Sequence, residues 1–414
     1  MTAVTSPIQG QPTPASLAQR GPQARRIGSD AEALAVARTV AATLAEGAAA
    51  RDRDRALPYA ELDLVSQSGL FALTVPRDLG GADVSAVTLA EVFATLSAAD
   101  TAIGQIPQSH YYLLEALRLQ GAAEQRRRWF GHVLAGERIA NALAEVGTKT
   151  ARDIATTLRR DGLGWRLDGK KFYCTGVLFA HWLGVVALDE QGVRSIAFVP
   201  QGSRGITVLD DWTGFGQRTT GSGTTVLEDV PVEQGAVVPL QPVFDHPTRM
   251  GPFAQLLHAA IDIGAARAAL ADTVDYVQTY SRPWADSGVA RAAEDPYTIA
   301  IVGEVRIRLA GAEALLVRAA RIVEAAKHDP SADDVAKASI AVAEAKVAAT
   351  EASLLAGTKL IELGGSSATQ AKYNLDRHWR NARTHTVHDP ARWKLHAIGQ
   401  YWLNGVAPPR HGTI

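Results

Sequence analysis

The feature that most constrains this chain is a change of hydrophobic period, from helical to extended and back again. Apolar residues recur at helical spacing through residues 29–140, with Ser29 and Glu32 forming a capping-box start. Over 141–245 they give way to short β-branched runs cut by Gly and Pro. There Asp161-Gly162 and Asp168-Gly169 both read as hairpin turns, predicting a mostly antiparallel sheet. From 246 to 414 the helical spacing returns, predicting long helices over 253–281, 295–327 and 332–363 and a fourth from about Lys372. His328-Asp329-Pro330 closes the second of these and Gly364-Gly365 the third. Helices, then strands, then a bundle of long helices define an α+β chain; a doubly wound fold would alternate strand and helix. Residues 1–28, with four prolines and no periodic pattern, are predicted to be a flexible leader.

Several function classes fall away. Lys plus Arg number 42 against 43 Asp plus Glu, so the basic excess of a nucleic-acid or membrane-surface binder is missing. Every long apolar stretch is broken by Asp, Arg, His or Lys, and the leader has no apolar signal core, so a cytoplasmic protein with no membrane partner is expected. The one cysteine, Cys174, excludes an intrachain disulfide framework and a Cys-rich zinc site. G-x-G-x-x-G, the Walker loop and G-x-S-x-G are absent, as is any Glu-x-x-His of a di-iron bundle. His385 and His388 stand at i, i+3 but lack a third spaced ligand, so no metal is expected. Sulfur occurs only in Met1, Met250 and Cys174, which fits either a high-GC genome or a protein made when sulfur is scarce.

Three strings carry a further signal: DGKKFYCTG, FGQRTTGSGTTVLEDVPV and IELGGSSATQAKYNLDRHWRNAR. In this order, on this layout, they resemble the acyl-CoA dehydrogenase superfamily over nearly all of the chain after residue 29. The resemblance implies an N-terminal helical domain, a central antiparallel β domain and a C-terminal four-helix bundle, usually assembled as a homotetramer. The departures bear on chemistry. Dehydrogenases of the common type place a catalytic Glu shortly after the Gly-Gly, where this chain has Gln370-Ala371-Lys372-Tyr373. Others carry it on an earlier helix, where this chain has Asp262, itself readable as an ordinary helix-face residue. The C-terminal RHWRNARTHTVHDPARWKLHAIGQYW is similar to the reduced-flavin monooxygenase branch, and within it to the sulfur-acquisition group.

That resemblance implies reduced FMN from a separate NADH:FMN reductase, O2, a C4a-hydroperoxyflavin and a small organosulfur substrate. It implies that His388, His110, Asn141 and Thr175 line the flavin and oxygen pocket, Thr175 keeping the hydroxyl of the Cys-Ser-Gly string of some relatives. It further implies cofactor contacts from Cys174, Thr175, Arg282, Trp284, Gly364, Gly365, Ser366 and Ser367, the last two on a loop that reaches the flavin of the same or a neighbouring subunit. Histidine suits proton delivery because its ordinary pKa of about 6.5 lies near working pH. Asn and Thr donate fixed hydrogen bonds without changing charge. Tyr111, Tyr112 and Phe172 are candidates for a dry lining. From the residues alone each has a plainer reading. His110 can be a cap or core histidine, His385 and His388 a solvated basic face, Asn141 a turn residue, and Thr175 a strand end. Arg282 can be a helix-end cation and Gly364-Gly365 a helix stop. An FAD-dependent acyl-CoA dehydrogenase with its base elsewhere, or a flavin-free assembly protein, are the competing functions.

Overall fold

A computed structural model describes residues 24–150 and 152–414. The predicted leader lies mostly outside the described residues. Its last part is docked rather than free: Ala24 and Ile27 are buried, and the Arg25 N–H donates to the Gln67 carbonyl at 2.9 Å. The first unit is helical: α1 (Asp30–Ala45), α2 (Ala48–Asp54), α3 (Tyr59–Gln67), α4 (Ala86–Ala99), α5 (Thr101–Gln105), α6 (Pro107–Gln120) and α7 (Ala123–Leu134). Ser29 caps α1 as its sequence implies, accepting from the Glu32 N–H, while the Glu32 carboxylate reaches back to the Gly28 N–H at 2.9 Å.

Eight strands follow: β1 (Ile139–Ala142), β2 (Thr157–Asp161), β3 (Gly164–Lys171), β4 (Trp182–Asp189), β5 (Arg194–Pro200), β6 (Ile206–Leu209), β7 (Thr224–Val232) and β8 (Val237–Pro239). They form one sheet in the order β6-β7-β3-β2-β4-β5-β8, with β1 laid beside β4. Pairing is antiparallel except that β1 and β2 both run parallel to β4. Of the two Asp-Gly pairs only the first makes a turn. Gly162, at φ +58, leads the tight β2–β3 connection. Asp168-Gly169 instead lies inside β3, where the register against β7 shifts and Asp229 takes φ +50. The Asp168 carboxylate accepts the Asp229 N–H at 2.8 Å, so the short acid serves a bulge rather than a hairpin.

A short α8 (Pro242–Asp245) leads into the bundle of α9 (Met250–Thr279), α10 (Pro296–Ala325), α11 (Ala332–Ala368), α12 (Arg377–Thr386) and α13 (Ala391–Asn404). The three long helices match their predicted spans closely. The fourth begins at Arg377 rather than near Lys372, and α11 passes Gly364 before kinking at Gly365, φ 63 and ψ −164. α9 is the axis of the molecule: every residue from Met250 to Ala266 is buried. It crosses α4 so closely that a Cβ on Gly264 would meet the Ala94 carbonyl oxygen at 2.5 Å. α11 offers it Ala338, Ala341, Ala345, Ala349, Ala352 and Ala356, small buried residues three or four apart that let long helices approach. Among the described residues no single helix is long and apolar enough to cross a membrane.

Candidate active site

Two polar walls meet where the sheet's loops abut α12. The first is a hydroxyl ladder. The Thr175 hydroxyl pairs with that of Ser222 at 2.8 Å, Ser222 with Thr220 at 2.7 Å, and Thr220 donates to the Gln217 carbonyl at 2.9 Å. Trp212 Nε1 donates to that same carbonyl. Gly176 packs this turn onto Ile106, at the α5–α6 junction, and near Ala140, next to Asn141 in β1. The 212–222 loop is clamped to α12: the Gln217 N–H donates to Asn381 Oδ1 at 2.6 Å, and a Cβ on Gly216 would meet the Arg380 carbonyl oxygen at 2.0 Å. Phe215 stacks on Trp379 over this seam.

The second wall is a chain of imidazoles. Asp262 is 0% exposed, receives Lys346 Nζ at 2.5 Å and the Thr350 hydroxyl at 3.1 Å, and on its other oxygen meets His385 Nδ1. His385 Nε2 lies 3.0 Å from His258 Nδ1, and the His258 ring lies 4.4 Å from that of His388. His388, its side chain 49% exposed, engages the buried carboxylate of Asp389 through Nδ1 at 3.1 Å. Gln255 also donates to Asp389, at 2.8 Å, and accepts from Lys394 at 2.9 Å. Burial would raise the pKa of Asp262, but Lys346 and then His385 outweigh it and hold the carboxyl below its ordinary value. Burial, then the charges of His388 and His385, push His258 well below 6.5. Burial likewise lowers His385, in spite of Asp262, and brings Lys394 down to about 8. Asp389 lies far below the usual carboxylate range because the His388 hydrogen bond and charge overcome burial.

The predicted residues divide between places. Thr175 belongs to the ladder and His388 ends the imidazole chain. Asn141 is a strand residue, not a turn, and its Oδ1 is buried without a hydrogen-bond partner among the described residues. His110 takes a different position from the pocket-facing one expected. It is 1% exposed, with Nε2 at 2.9 Å from the Phe71 carbonyl and Nδ1 accepting the Ile139 N–H at 3.1 Å. Neither nitrogen is left for a ligand, and burial lowers its pKa to about 4, so the ring is a neutral clasp between α6 and β1. Tyr111 is likewise core, bonded to the Leu70 carbonyl. The Cys174 side chain points into the core, where burial pushes its thiol up to about 11, while its N–H donates to the Gly223 carbonyl and its carbonyl accepts from Val177, so the expected cofactor contact has no free donor here.

Arg282, Trp284, Gly364, Gly365, Ser366 and Ser367 gather at the far end of α9. Ser281 donates to the Leu363 carbonyl at 3.2 Å and Tyr276 to the Ser367 hydroxyl at 2.9 Å, while Arg282 and Trp284 are exposed. His258 and Tyr276 are 18 residues apart on one straight helical path, about 27 Å at 1.5 Å per residue. These two groups of residues do not meet within one chain.

Four residues escaped the sequence reading: Gln217, Gln255, His258 and Asp389. Asp262, readable from sequence as an earlier-helix base or an ordinary helix-face residue, is a fully buried node. The signal was present, since Gln255, His258 and Asp262 stand at i, i+3, i+7 in the otherwise apolar first half of the helix and so form one polar stripe. Gln217 is the sharper omission. It is 1% exposed, holds φ +51, and neither amide atom of its side chain has a hydrogen-bond partner among the described residues. Gln105 Oε1 and Thr384 Oγ1 share that condition beside the same seam. Buried polar atoms are satisfied almost everywhere in proteins, so this set fits a ligand edge rich in N–H and C=O groups, as a flavin ring is. His258, His388 and Asp389 also place one donor atom each within 4.8 Å of one another, but Asp389 already accepts from Gln255 and His388. Gln217→Ala is expected to weaken FMN binding about tenfold, the worth of one well-placed buried hydrogen bond, as read by flavin fluorescence titration.

Comparison with known proteins agrees with this architecture. Residues 31–137 match the acyl-CoA dehydrogenase N-terminal domain and residues 256–393 the acyl-CoA dehydrogenase C-terminal domain. The chain belongs to the acyl-CoA dehydrogenase superfamily, in its reduced-flavin monooxygenase branch. It is 34% identical to the probable FMNH2-dependent monooxygenase SfnC of Pseudomonas putida, over 91% of this chain and 96% of that one. To the dibenzothiophene monooxygenase of Rhodococcus qingshengii it is 32% identical, over 92% and 96%. The crystal structure of FMN-bound TdsC from Paenibacillus sp. A11-2 superposes with a TM-score of 0.88 at 30% identity, covering 92% of this chain and 100% of that one.

Proposed function

We propose that this chain is the oxygenase of a two-component system, acting in the cytoplasm on a small organosulfur compound in sulfur acquisition. It takes reduced FMN from a separate NADH:FMN reductase and uses O2 as co-substrate. The observation that carries this reading is the His388–Asp389 pair, a half-exposed imidazole anchored on a buried carboxylate beside a wall of neutral donors and acceptors. An acyl-CoA dehydrogenase needs a carboxylate base there. The stretch after Gly-Gly has none, and Asp262 is locked by Lys346, Thr350 and His385 with no exposed surface. The name of the dibenzothiophene monooxygenase, whose substrate is an organosulfur compound, supports the substrate class.

When bound, reduced FMN supplies the electrons that activate O2. Asn141, Gln217 and the Thr175 hydroxyl would hold the ring, since Asn141 Oδ1 and both Gln217 amide atoms are buried without partners among the described residues and the Thr175 hydroxyl can rotate. Asp389, an acceptor only, keeps the proton of neutral His388 on Nδ1, so Nε2 is free to take and deliver a proton at the exposed edge. The Phe215–Trp379 stack and the Gly216–Arg380 contact pin the loop to α12 along this seam. Arg282, Trp284 and Ser366–Ser367 lie too far along α9 to serve this same pocket, and contribute to the flavin of a neighbouring copy in a homotetramer. The test is product analysis with isotopically heavy O2, reduced FMN and a panel of sulfides, sulfones and sulfinates. Label in the product supports the reading. Flavin bleaching by an acyl-CoA thioester, with FAD rather than FMN retained and no label incorporated, would replace it with the dehydrogenase.

A further inference from the structure

The buried half of the imidazole chain has no part in the steps above, yet its hydrogen bonds leave little freedom. A carboxylate only accepts, so His385 must present Nδ1–H to Asp262. Neutral His385 then has a lone pair at Nε2, and His258 must fill it with Nδ1–H across 3.0 Å. That leaves the other nitrogen of His258 unprotonated, with its ring tilted against that of His388 at 4.4 Å and one of its nitrogens within 4.8 Å of the donor atoms of His388 and Asp389. Each proton position follows from the one before it, starting at Asp262.

We propose that Asp262, His385 and His258 form a positioning relay that keeps His258 neutral with its proton turned away from Asp389, so that His388 is the one imidazole donating to that carboxylate, beside the Gln255 amide. The inference rests on the reading of His388 as the proton-handling group. Were the relay reversed, His258 would carry its proton on the side of Asp389 and compete with His388 for the carboxylate that fixes its tautomer. The groups facing the chain are Lys346 from α11, Asp262 and His258 from α9, and His385 from α12. His388 and Asp389 follow α12, Lys394 comes from α13, and His411 stands beyond it, within the fields of Asp389 and Lys394. Lys346 has Asp262 as its ion-pair partner, and Lys394 is held by Gln255 and the Thr413 carbonyl, so neither cation is placed to protonate the rings. Asp262, His385 and His258 are positioning residues: they act on the reaction through His388.

The test compares Asp262→Asn with His385→Asn by nitrogen NMR of labelled histidines in the full chain, with and without FMN. An amide at 262 can donate as well as accept, and so permits the reversed tautomers. Asparagine at 385 keeps the N–H to Asp262, and with it the Lys346 ion pair, but removes the acceptor that His258 needs. This second variant keeps the test valid if Asp262→Asn, which strands Lys346, fails to fold. In either variant the His258 nitrogen shifts are expected to report loss of the single Nδ1–H form, and the His388 nitrogen shifts to report loss of its single Nδ1–H tautomer. Unchanged His258 and His388 nitrogen shifts in a folded variant overturn the relay, whatever happens to activity. Failure of the His388 reading would show itself separately, as full coupling of flavin oxidation to product in His388→Ala.

Discussion

His388→Ala is expected to divert reducing equivalents from product to hydrogen peroxide. The turnover of substrate should fall by about 10²- to 10⁴-fold, the usual worth of a positioned acid or base. FMN affinity should stay within a few-fold of the parent, because the atoms assigned to hold the ring belong to Asn141, Gln217 and Thr175. The side chain removed is 49% exposed, so stability should barely change, and Asp389 keeps its bond from Gln255. Peroxide release and product formation, measured together per FMN oxidised, separate this outcome from simple loss of flavin binding. Product yield and peroxide release both unchanged would remove His388 from the chemistry.

The largest stability effect is expected away from the pocket. Arg249, 2% exposed at the start of α9, meets Glu115 of α6, 1% exposed, in a two-pronged pair: Nε to Oε1 at 2.7 Å and the second nitrogen to Oε2 at 3.2 Å. Arg118 and Glu324 extend the network. Removing one partner strands a buried charge, so Arg249→Met should cost about 3–5 kcal/mol in urea unfolding. The double variant Glu115→Gln/Arg249→Met should recover much of that loss, because no charge is then left alone. Burial alone would raise the Glu115 pKa, but Arg249 holds it below the ordinary 4.5. The sign follows: this contribution is complete above the ordinary glutamate pKa and drains away as pH falls below it. Arg249→Met should therefore flatten the acid side of the stability profile, and an acid limb as steep as the parent's would contradict the assignment.

The long helices were legible because their apolar positions repeat over many turns, and the sheet because β-branched runs alternate between turn residues. What the sequence hid was local. Asp168-Gly169 has the chemistry of a turn, but β7 supplies a partner strand and the pair becomes a bulge. His110 has the residue type of a proton carrier, and only the fold reveals the Phe71 carbonyl and Ile139 N–H that consume both nitrogens. Asp262 and Lys346 lie 84 positions apart, and no pattern along the chain announces their pairing. Family resemblance named His388 and Thr175, but the groups that brace His388, from Asp389 inward to His258, became visible only once α9 and α12 were packed together.

One feature of that packing governs how such an oxygenase would fail. α12 grips the 212–222 loop through Asn381 and Arg380 at one end, and carries His385, with His388 just beyond, at the other. A shift of this helix therefore disturbs the flavin cradle and the proton source together. A catalyst of this build goes silent when perturbed as a whole, since a loosened subunit loses its electrons at the same moment as its acid. Leakage of reactive oxygen would then mark damage to single side chains rather than to the fold, and peroxide output becomes a diagnostic of where a variant has struck.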